Sequence, residues 1–365
     1  MANLFVVFTP LQVVVAQQII RQENLVDNVM LESYLPDCEH FLEIYQMIRI
    51  DGIWKKVLPF DNWAYWDYSG GKLIRHIFDV KKKANAIEHL LRQNNIDNIY
   101  LADFQNQTNR FTCVWLANKG YKIFFYEEGY SHYIPRVGYP PSNNFFHRFY
   151  EHLLDGGYYL PLYHIHFANW RCYPNKDYHG LPIYCRYSII PNIHHESYDK
   201  RLTYQPMASI KLQEFVKGDI GDYTNEDKIL LLTDPMSEVL DAQYRYLYYE
   251  TIKDSLDKYK EKHIYVKYHP RDSREDREEV INILENLRCE YSILGKRVNI
   301  PVEFYLQNTK FSTVLFFNTS TYFYNGYLFP EVKFIKLLPT LYNICKKLGV
   351  SRLKQMELLL EKMKD

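Results

Sequence analysis

Two short segments carry residue types from which a transfer reaction can be built. Tyr126-Glu127-Glu128-Gly129 brings two adjacent carboxylates, and Lys267-Tyr268-His269-Pro270 brings an ammonium and an imidazole. Each follows an apolar run, Tyr121-Lys122-Ile123-Phe124-Phe125 in one case and His263-Ile264-Tyr265-Val266 in the other. Both therefore read as polar residues placed where a buried strand ends, and open α/β sheets bind their ligands outside the carboxyl ends of the strands. Successive side chains of an extended chain point to opposite sides, so only one of Glu127 and Glu128 is expected to face a ligand. A carboxylate there can accept the proton of an attacking hydroxyl, and Gly129 allows a sharp turn. Pro270 biases His269 to extended backbone and ends the strand. The imidazole, with an ordinary pKa near neutrality, can protonate or neutralise a departing phosphate. Lys267, two residues earlier, shares its face. In isolation each segment reads first as a solvated turn capping the next helix or as an ordinary strand end, so the neighbours decide.

Thr319-Ser320-Thr321 follows the apolar run Val314-Leu315-Phe316-Phe317 and is expected to open a helix. Hydroxyls and backbone N–H groups at a helix N-terminus bind phosphate, and they also serve as plain caps. Glu303 is placed in a first helical turn, where a carboxylate suits the dipole or a ribose diol. Asp234 stands just after the run Ile229-Leu230-Leu231-Leu232. Thr9-Pro10-Leu11-Gln12 and Phe104-Gln105-Asn106 also follow strand-like runs, which makes Thr9, Pro10, Gln12, Gln105 and Asn106 candidates for contact with an acceptor. His194-His195 and His164-x-His166 lack a matching cysteine or carboxylate frame, so no metal site is expected. There is neither a P-loop nor a Gly-x-Gly-x-x-Gly fingerprint, which argues against a P-loop NTPase or a typical dehydrogenase.

The elements that must hold these residues alternate along the chain. Leu4–Phe8 reads as a strand followed by a helix with Pro10 in its first turn. Val29–Leu31, Trp54–Leu58, Ile99–Ala102 and Lys122–Phe125 read as further strands, with a helical pattern at Leu73–Gln93 and a short helix at Phe111–Asn118. The pattern loosens from Ser131 to Gln205, with a helix expected near Asn144–Leu154, and Gly218–Asn225 is the best linker candidate. A second series starts at Ile229: helix Leu240–Lys258, the strand ending at His269, helix Arg274–Asn286, strand Glu290–Leu294, a helix capped by Asn299, the strand Val314–Phe317 and a terminal amphipathic helix around Met356–Met363. Alternation of this kind predicts parallel sheets covered on both faces. The expected fold is α/β of the GT-B type: a Rossmann-like domain over 1–222, carrying the acceptor side and the base, and a second over 223–365 on the donor side, facing each other across a cleft.

Composition sets outer bounds. The 365 residues suffice for two domains. Lysine plus arginine and aspartate plus glutamate both total 44, so nothing in the charge points to nucleic acid. No run is apolar enough to span a bilayer and Met1–Thr9 lacks a signal-peptide pattern, so the expected location is cytoplasmic. The six cysteines, Cys38, Cys113, Cys172, Cys185, Cys289 and Cys345, are scattered and read as reduced thiols. The 34 tyrosines and 21 phenylalanines fit stacking on sugar faces, but AT-rich coding accounts for them more simply, so composition alone does not point to a carbohydrate.

Taken together, Glu127-Glu128-Gly129, His269-Pro270 and Thr319-Ser320-Thr321, in that order, resemble the acidic-acidic-Gly, His-Pro and Ser/Thr motifs of bacterial sialyltransferases. The resemblance is to the lipooligosaccharide sialyltransferases of glycosyltransferase family 52 and to the capsular polysialyltransferases; Phe8-Thr9-Pro10-Leu11-Gln12 is similar to the start of the lipooligosaccharide branch. It implies inverting transfer of sialic acid from CMP-sialic acid to a hydroxyl of an oligosaccharide or glycolipid acceptor, with no metal or cofactor required. By motif match, Glu128 (or Glu127) is the base and His269 assists the phosphate leaving group. Ser320 with Thr319 and Thr321 holds the CMP phosphate, with Lys267 and Pro270 beside it, and Glu303 takes the ribose. A base on the second domain's first loop would instead be Asp234. Other readings are a transferase using a different CMP-keto sugar or a nucleotide-hexose, and a non-catalytic GT-B protein of glycan assembly. A homodimer and peripheral inner-membrane contact through the Leu/Lys-rich terminal helix are also compatible with the sequence.

Overall fold

The computed structural model describes residues 2–32, 40–59, 85–102, 116–117, 119–127, 175–176, 182–190, 199–203, 209–221, 227–235, 240–296, 298, 300–319, 321–350 and 353–363. The chain forms two compact units, Met1–Ser209 and Ile210–Asp365.

The first unit is built on a seven-stranded sheet in the order β3-β2-β1-β4-β5-β8-β9. Its strands are β1 (Ala2–Val7), β2 (Asn28–Glu32), β3 (Lys56–Pro59), β4 (Ile96–Ala102), β5 (Lys122–Tyr126), β8 (Cys185–Ser188) and β9 (Asp199–Arg201). A separate antiparallel pair is formed by β6 (Asn175–Lys176) and β7 (Pro182–Ile183). Every pairing in the large sheet is parallel. Parallel strands with both faces covered carry continuous apolar runs, and β1 is buried at each of its positions. The helices α1 (Pro10–Gln22), α2 (His40–Ile48) and α3 (85–93) fall between strands, as crossovers of a parallel sheet require. Tyrosine and phenylalanine have a packing role here: Phe5, Tyr100 and Phe124 are register partners on β1, β4 and β5. Their rings stack at 4.2 and 4.6 Å between centroids.

The second unit carries a five-stranded parallel sheet in the order β12-β11-β10-β13-β14. These are β10 (Lys228–Leu232), β11 (Ile264–Lys267), β12 (Tyr291–Leu294), β13 (Phe311–Phe316) and β14 (Lys333–Lys336). The helices are α4 (Ile210–Ile220), α5 (Arg245–Leu256), α6 (Arg274–Asn286), α7 (Val302–Asn308), α8 (Thr321–Leu328), α9 (Leu338–Lys347) and α10 (Lys354–Lys362). In chain order the sheet runs third, second, first, fourth, fifth strand, the Rossmann order without its sixth strand, with its switch point between β10 and β13.

Three expectations need correction. Gly218, assigned to a linker, lies inside α4. That helix is tied to the second sheet: the Tyr265 hydroxyl donates to Ile220 O at 3.2 Å, and Asp219 accepts from the Gly295 N–H and the Tyr305 hydroxyl at 2.7 and 2.6 Å. The single helix expected at Leu240–Lys258 is α5 flanked by two 3₁₀ turns, Ala242–Tyr244 and Asp257–Tyr259. α7 starts behind Pro301, which has no side-chain capping bond; Asn299 lies outside the described residues.

Candidate active site

Three adjacent strands of the second unit deliver the predicted donor residues to one edge of their sheet. β11 ends at Lys267 and leads to His269, β10 ends beside Thr233 and Asp234, and β13 leads to Thr319 and the start of α8. Ser320 lies outside the described residues. Thr319, Thr321 and Glu303 form a chain of hydroxyls ending on a carboxylate. The Thr319 hydroxyl donates to Thr321 Oγ1 at 3.2 Å, and the Thr321 hydroxyl donates to Glu303 Oε1 at 2.7 Å. Thr321 N–H also donates to Thr319 Oγ1 at 3.3 Å. Glu303, predicted in a first helical turn, stands there in α7 and is buried.

Lys267 is buried at the same edge, with Nζ 5.9 Å from the centre of the Tyr305 ring. Burial pushes its ammonium down to about 8, while the Glu303 and Asp219 carboxylates act in the opposite sense. The lysine is thus mostly charged at neutral pH and close to losing that charge.

His269 is held at both backbone and ring. Its N–H is shared between Thr233 Oγ1 and Asp272 Oδ2, each at 2.9 Å. The Arg271 N–H donates to its Nδ1 at 3.2 Å. A nitrogen that accepts carries no proton, so the neutral ring has its hydrogen on Nε2. Burial, then the charges of Arg271 and Lys267, push the imidazole down to about 4. The group read from sequence as a proton donor is therefore neutral at physiological pH, with Nε2–H as a hydrogen-bond donor. Pro270 is exposed in the turn that follows.

Asp234 stands at the end of β10, where its N–H donates to the hydroxyl of buried Tyr248 at 3.1 Å. Thr233 and Asp272 were not singled out from sequence. The available signal was positional: an acid three residues after the histidine can reach back to that residue's N–H, as the third residue of a capping box does.

In the first unit the predicted residues serve the fold more directly. Glu127 is fully buried and its Oε2 accepts the Ile189 N–H at 2.7 Å, joining the chain after β5 to that after β8. Thr9 is the N-cap of α1 and accepts from Gln12 N–H at 3.4 Å, with Pro10 at the first helical position. Gln12 is buried and its Oε1 accepts the Phe8 N–H at 2.6 Å. These contacts form a variant of the capping box, in which Thr and a Gln three residues on satisfy N–H groups at the helix start. Glu128, Gly129, Gln105, Asn106 and the histidines at 164, 166, 194 and 195 lie outside the described residues. Among the described residues, no helix is long and apolar enough to cross a membrane.

Comparison with known proteins adds independent findings. The family model of alpha-2,8-polysialyltransferase (POLYST) matches residues 3–337. A search of curated proteins returns no match. Among solved structures, the glycotransferase of kitacinnamycin superposes with a TM-score of 0.53 at 11% identity, over 96% of this chain and 85% of that one. The UDP-GlcNAc 2-epimerases of Methanocaldococcus jannaschii and Neisseria meningitidis each give a TM-score of 0.47, at 12% and 10% identity. They cover 87% and 88% of this chain and 78% of their own. The first of these likenesses, with the two parallel sheets, identifies the fold as GT-B.

Proposed function

The chain belongs to the alpha-2,8-polysialyltransferase family and is a sialyltransferase enzyme; from that premise we propose that it moves sialic acid from CMP-sialic acid to a sugar hydroxyl of a bacterial surface glycan, with inversion at the anomeric carbon. The observation that carries the donor assignment is the grouping at one sheet edge of Nε2-protonated His269, the Lys267 ammonium and the Thr319-Thr321-Glu303 chain.

In this reading the second unit takes the donor. The acceptor oxygen forms a bond to the anomeric carbon as the bond from that carbon to the CMP phosphate oxygen breaks. The carbon passes through an oxocarbenium-like state, and the electron pair leaves with CMP. His269 Nε2–H, the start of α8 and Lys267 meet the growing phosphate charge, and the Thr319 hydroxyl turns from Thr321 Oγ1 to join them. Because the imidazole is neutral, its contribution is a hydrogen bond, and the leaving CMP departs without a proton from it. Glu303 is assigned the ribose diol. The hydroxyl proton of the acceptor goes to a carboxylate. We assign it to Glu128, because Glu127 is fully buried and engaged by Ile189; Asp234 is the competing residue. No step calls for a metal or cofactor.

The test is release of CMP from CMP-sialic acid in the presence of galactoside and sialoside acceptors. The expected result is turnover by the wild type and a loss of about 100-fold or more in Glu128→Gln, with Asp234→Asn less affected. Thermal stabilisation by UDP or GDP but not CMP would sink the donor assignment, and full activity of Glu128→Gln would move the base to Asp234.

A further inference from the structure

We infer that Thr233 and Asp272 form a latch that positions His269, fixing which imidazole nitrogen carries the hydrogen. The kinetic part of this inference rests on the transfer reading above; the tautomer part does not.

Four contacts build the latch. Thr233 Oγ1 and Asp272 Oδ2 both accept the His269 N–H at 2.9 Å. The Thr233 hydroxyl donates to Asp272 Oδ2. Asp272 N–H donates back to His269 O at 3.0 Å, closing the turn through Pro270 and Arg271. With the turn closed, the Arg271 N–H meets Nδ1 at 3.2 Å. The latch also spans two strands: Thr233 follows β10 and its N–H donates to Lys267 O at the end of β11, at 3.2 Å. One buried hydroxyl and one buried carboxylate thus tie the strand end carrying Asp234 to the strand end carrying His269.

The arrangement exceeds what closing a turn requires. A backbone bond from Asp272 N–H to His269 O already makes a turn, and most residues can supply it. The side-chain contacts add control of the His269 backbone, and through Arg271 control of the ring. Asp272 Oδ1 is buried with no hydrogen-bond partner among the described residues, so this carboxylate is held in place at a desolvation cost. A group kept buried on those terms at the edge carrying His269 fits a positioning role.

The experiment uses the full chain labelled with ¹⁵N-histidine, the His269 resonances being assigned by difference with His269→Gln. The wild type should show protonated Nε2 and unprotonated Nδ1. Thr233→Val, which keeps the shape and removes the hydroxyl, should show both tautomers. Its kcat for transfer from CMP-sialic acid should fall about 10- to 100-fold, with KM for the acceptor unchanged. Thr233→Ser should restore both signatures. If Thr233→Val does not fold, Asp272→Asn carries the same readouts. A wild-type ring protonated on Nδ1, or a Val variant unchanged in either tautomer or kcat, overturns the latch. Failure of the wild type to use CMP-sialic acid overturns the transfer reading, while the tautomer measurement still decides the latch.

Discussion

At the end of β5 in the first unit, Glu127 is fully buried with its carboxylate on the Ile189 N–H. At the end of β11 in the second, His269 is only partly buried, and other residues hold it by its backbone and by one ring nitrogen. Thr9 and Gln12 repeat the first pattern, turned onto the N–H groups at the start of α1. Thr319 and Thr321 repeat the second, passing hydrogen bonds to Glu303 beside Lys267. A polar residue at a strand end can therefore complete the fold or be completed by it. Of the second kind, His269 keeps its Nε2–H and Lys267 its charge for something else.

That contrast is best broken at His269. His269→Ala should lower transfer by about 100-fold or more, equivalent to roughly 3 kcal/mol of transition-state stabilisation, and leave the melting temperature close to wild type. Because the imidazole is pushed down to about 4, the wild-type rate should show no histidine limb near its ordinary value of 6.5. A pH–rate profile bending at 6.5, absent from His269→Ala, would show that the ring works as an acid and not as a neutral donor.

Glu127 gives the converse. Glu127→Leu removes the acceptor of a buried N–H and should cost about 1–3 kcal/mol of stability. Glu127→Gln, which keeps an acceptor oxygen, should cost less. Neither should change CMP affinity, a function assigned to the second unit. Chemical denaturation with CMP titration checks both halves. Loss of turnover in Glu127→Gln at unchanged stability would return Glu127 to the chemistry and erase the distinction.

The sequence made the second unit legible because its residues obey simple periodicities. β10, β11 and β13 are apolar runs that stop at polar residues, and those stops are where His269, Asp234 and Thr319 stand. α6 was expected over Arg274–Asn286 and stands there, its start closed by a capping box of Ser273 and Asp276 that the structure reveals. α2, α4, α9, β6, β7, β8, β9 and β14 were missed. β9 is Asp199-Lys200-Arg201, three charged residues with no apolar signal. It pairs with β8, where buried Arg186 donates to Asp199 through Nε and Nη2 at 2.7 and 2.8 Å. Only the tertiary pairing makes such a segment a strand. The latch was illegible for a related reason: Thr233 and Asp272 meet because β10 and β11 are neighbours, a fact of sheet order rather than of local pattern. The inward turn of Glu127 likewise depends on Ile189, which sequence separates widely from it.

The smallest expected effect sharpens the comparison most, because it runs against stability. The Lys267 ammonium is pushed from an ordinary 10.5 to about 8, chiefly by burial. Between those values the unfolded chain binds more protons than the folded one, so stability rises with pH across that window. Below pH 8 the whole cost of the buried charge is present. Lys267→Met should therefore add stability on the order of 1 kcal/mol at pH 7, seen as a higher melting temperature, with Glu303 keeping the Thr321 hydroxyl as partner. The advantage over wild type should shrink from pH 8 upward and vanish beyond 10.5. The same variant should bind CMP more weakly at pH 7, and wild-type affinity should fall as pH rises through 8. Thermal melts of both proteins from pH 6 to 10, with and without CMP, measure this directly. A Lys267→Met protein less stable at pH 7, with unchanged CMP affinity, would place Lys267 with Glu127 among the residues that complete the fold.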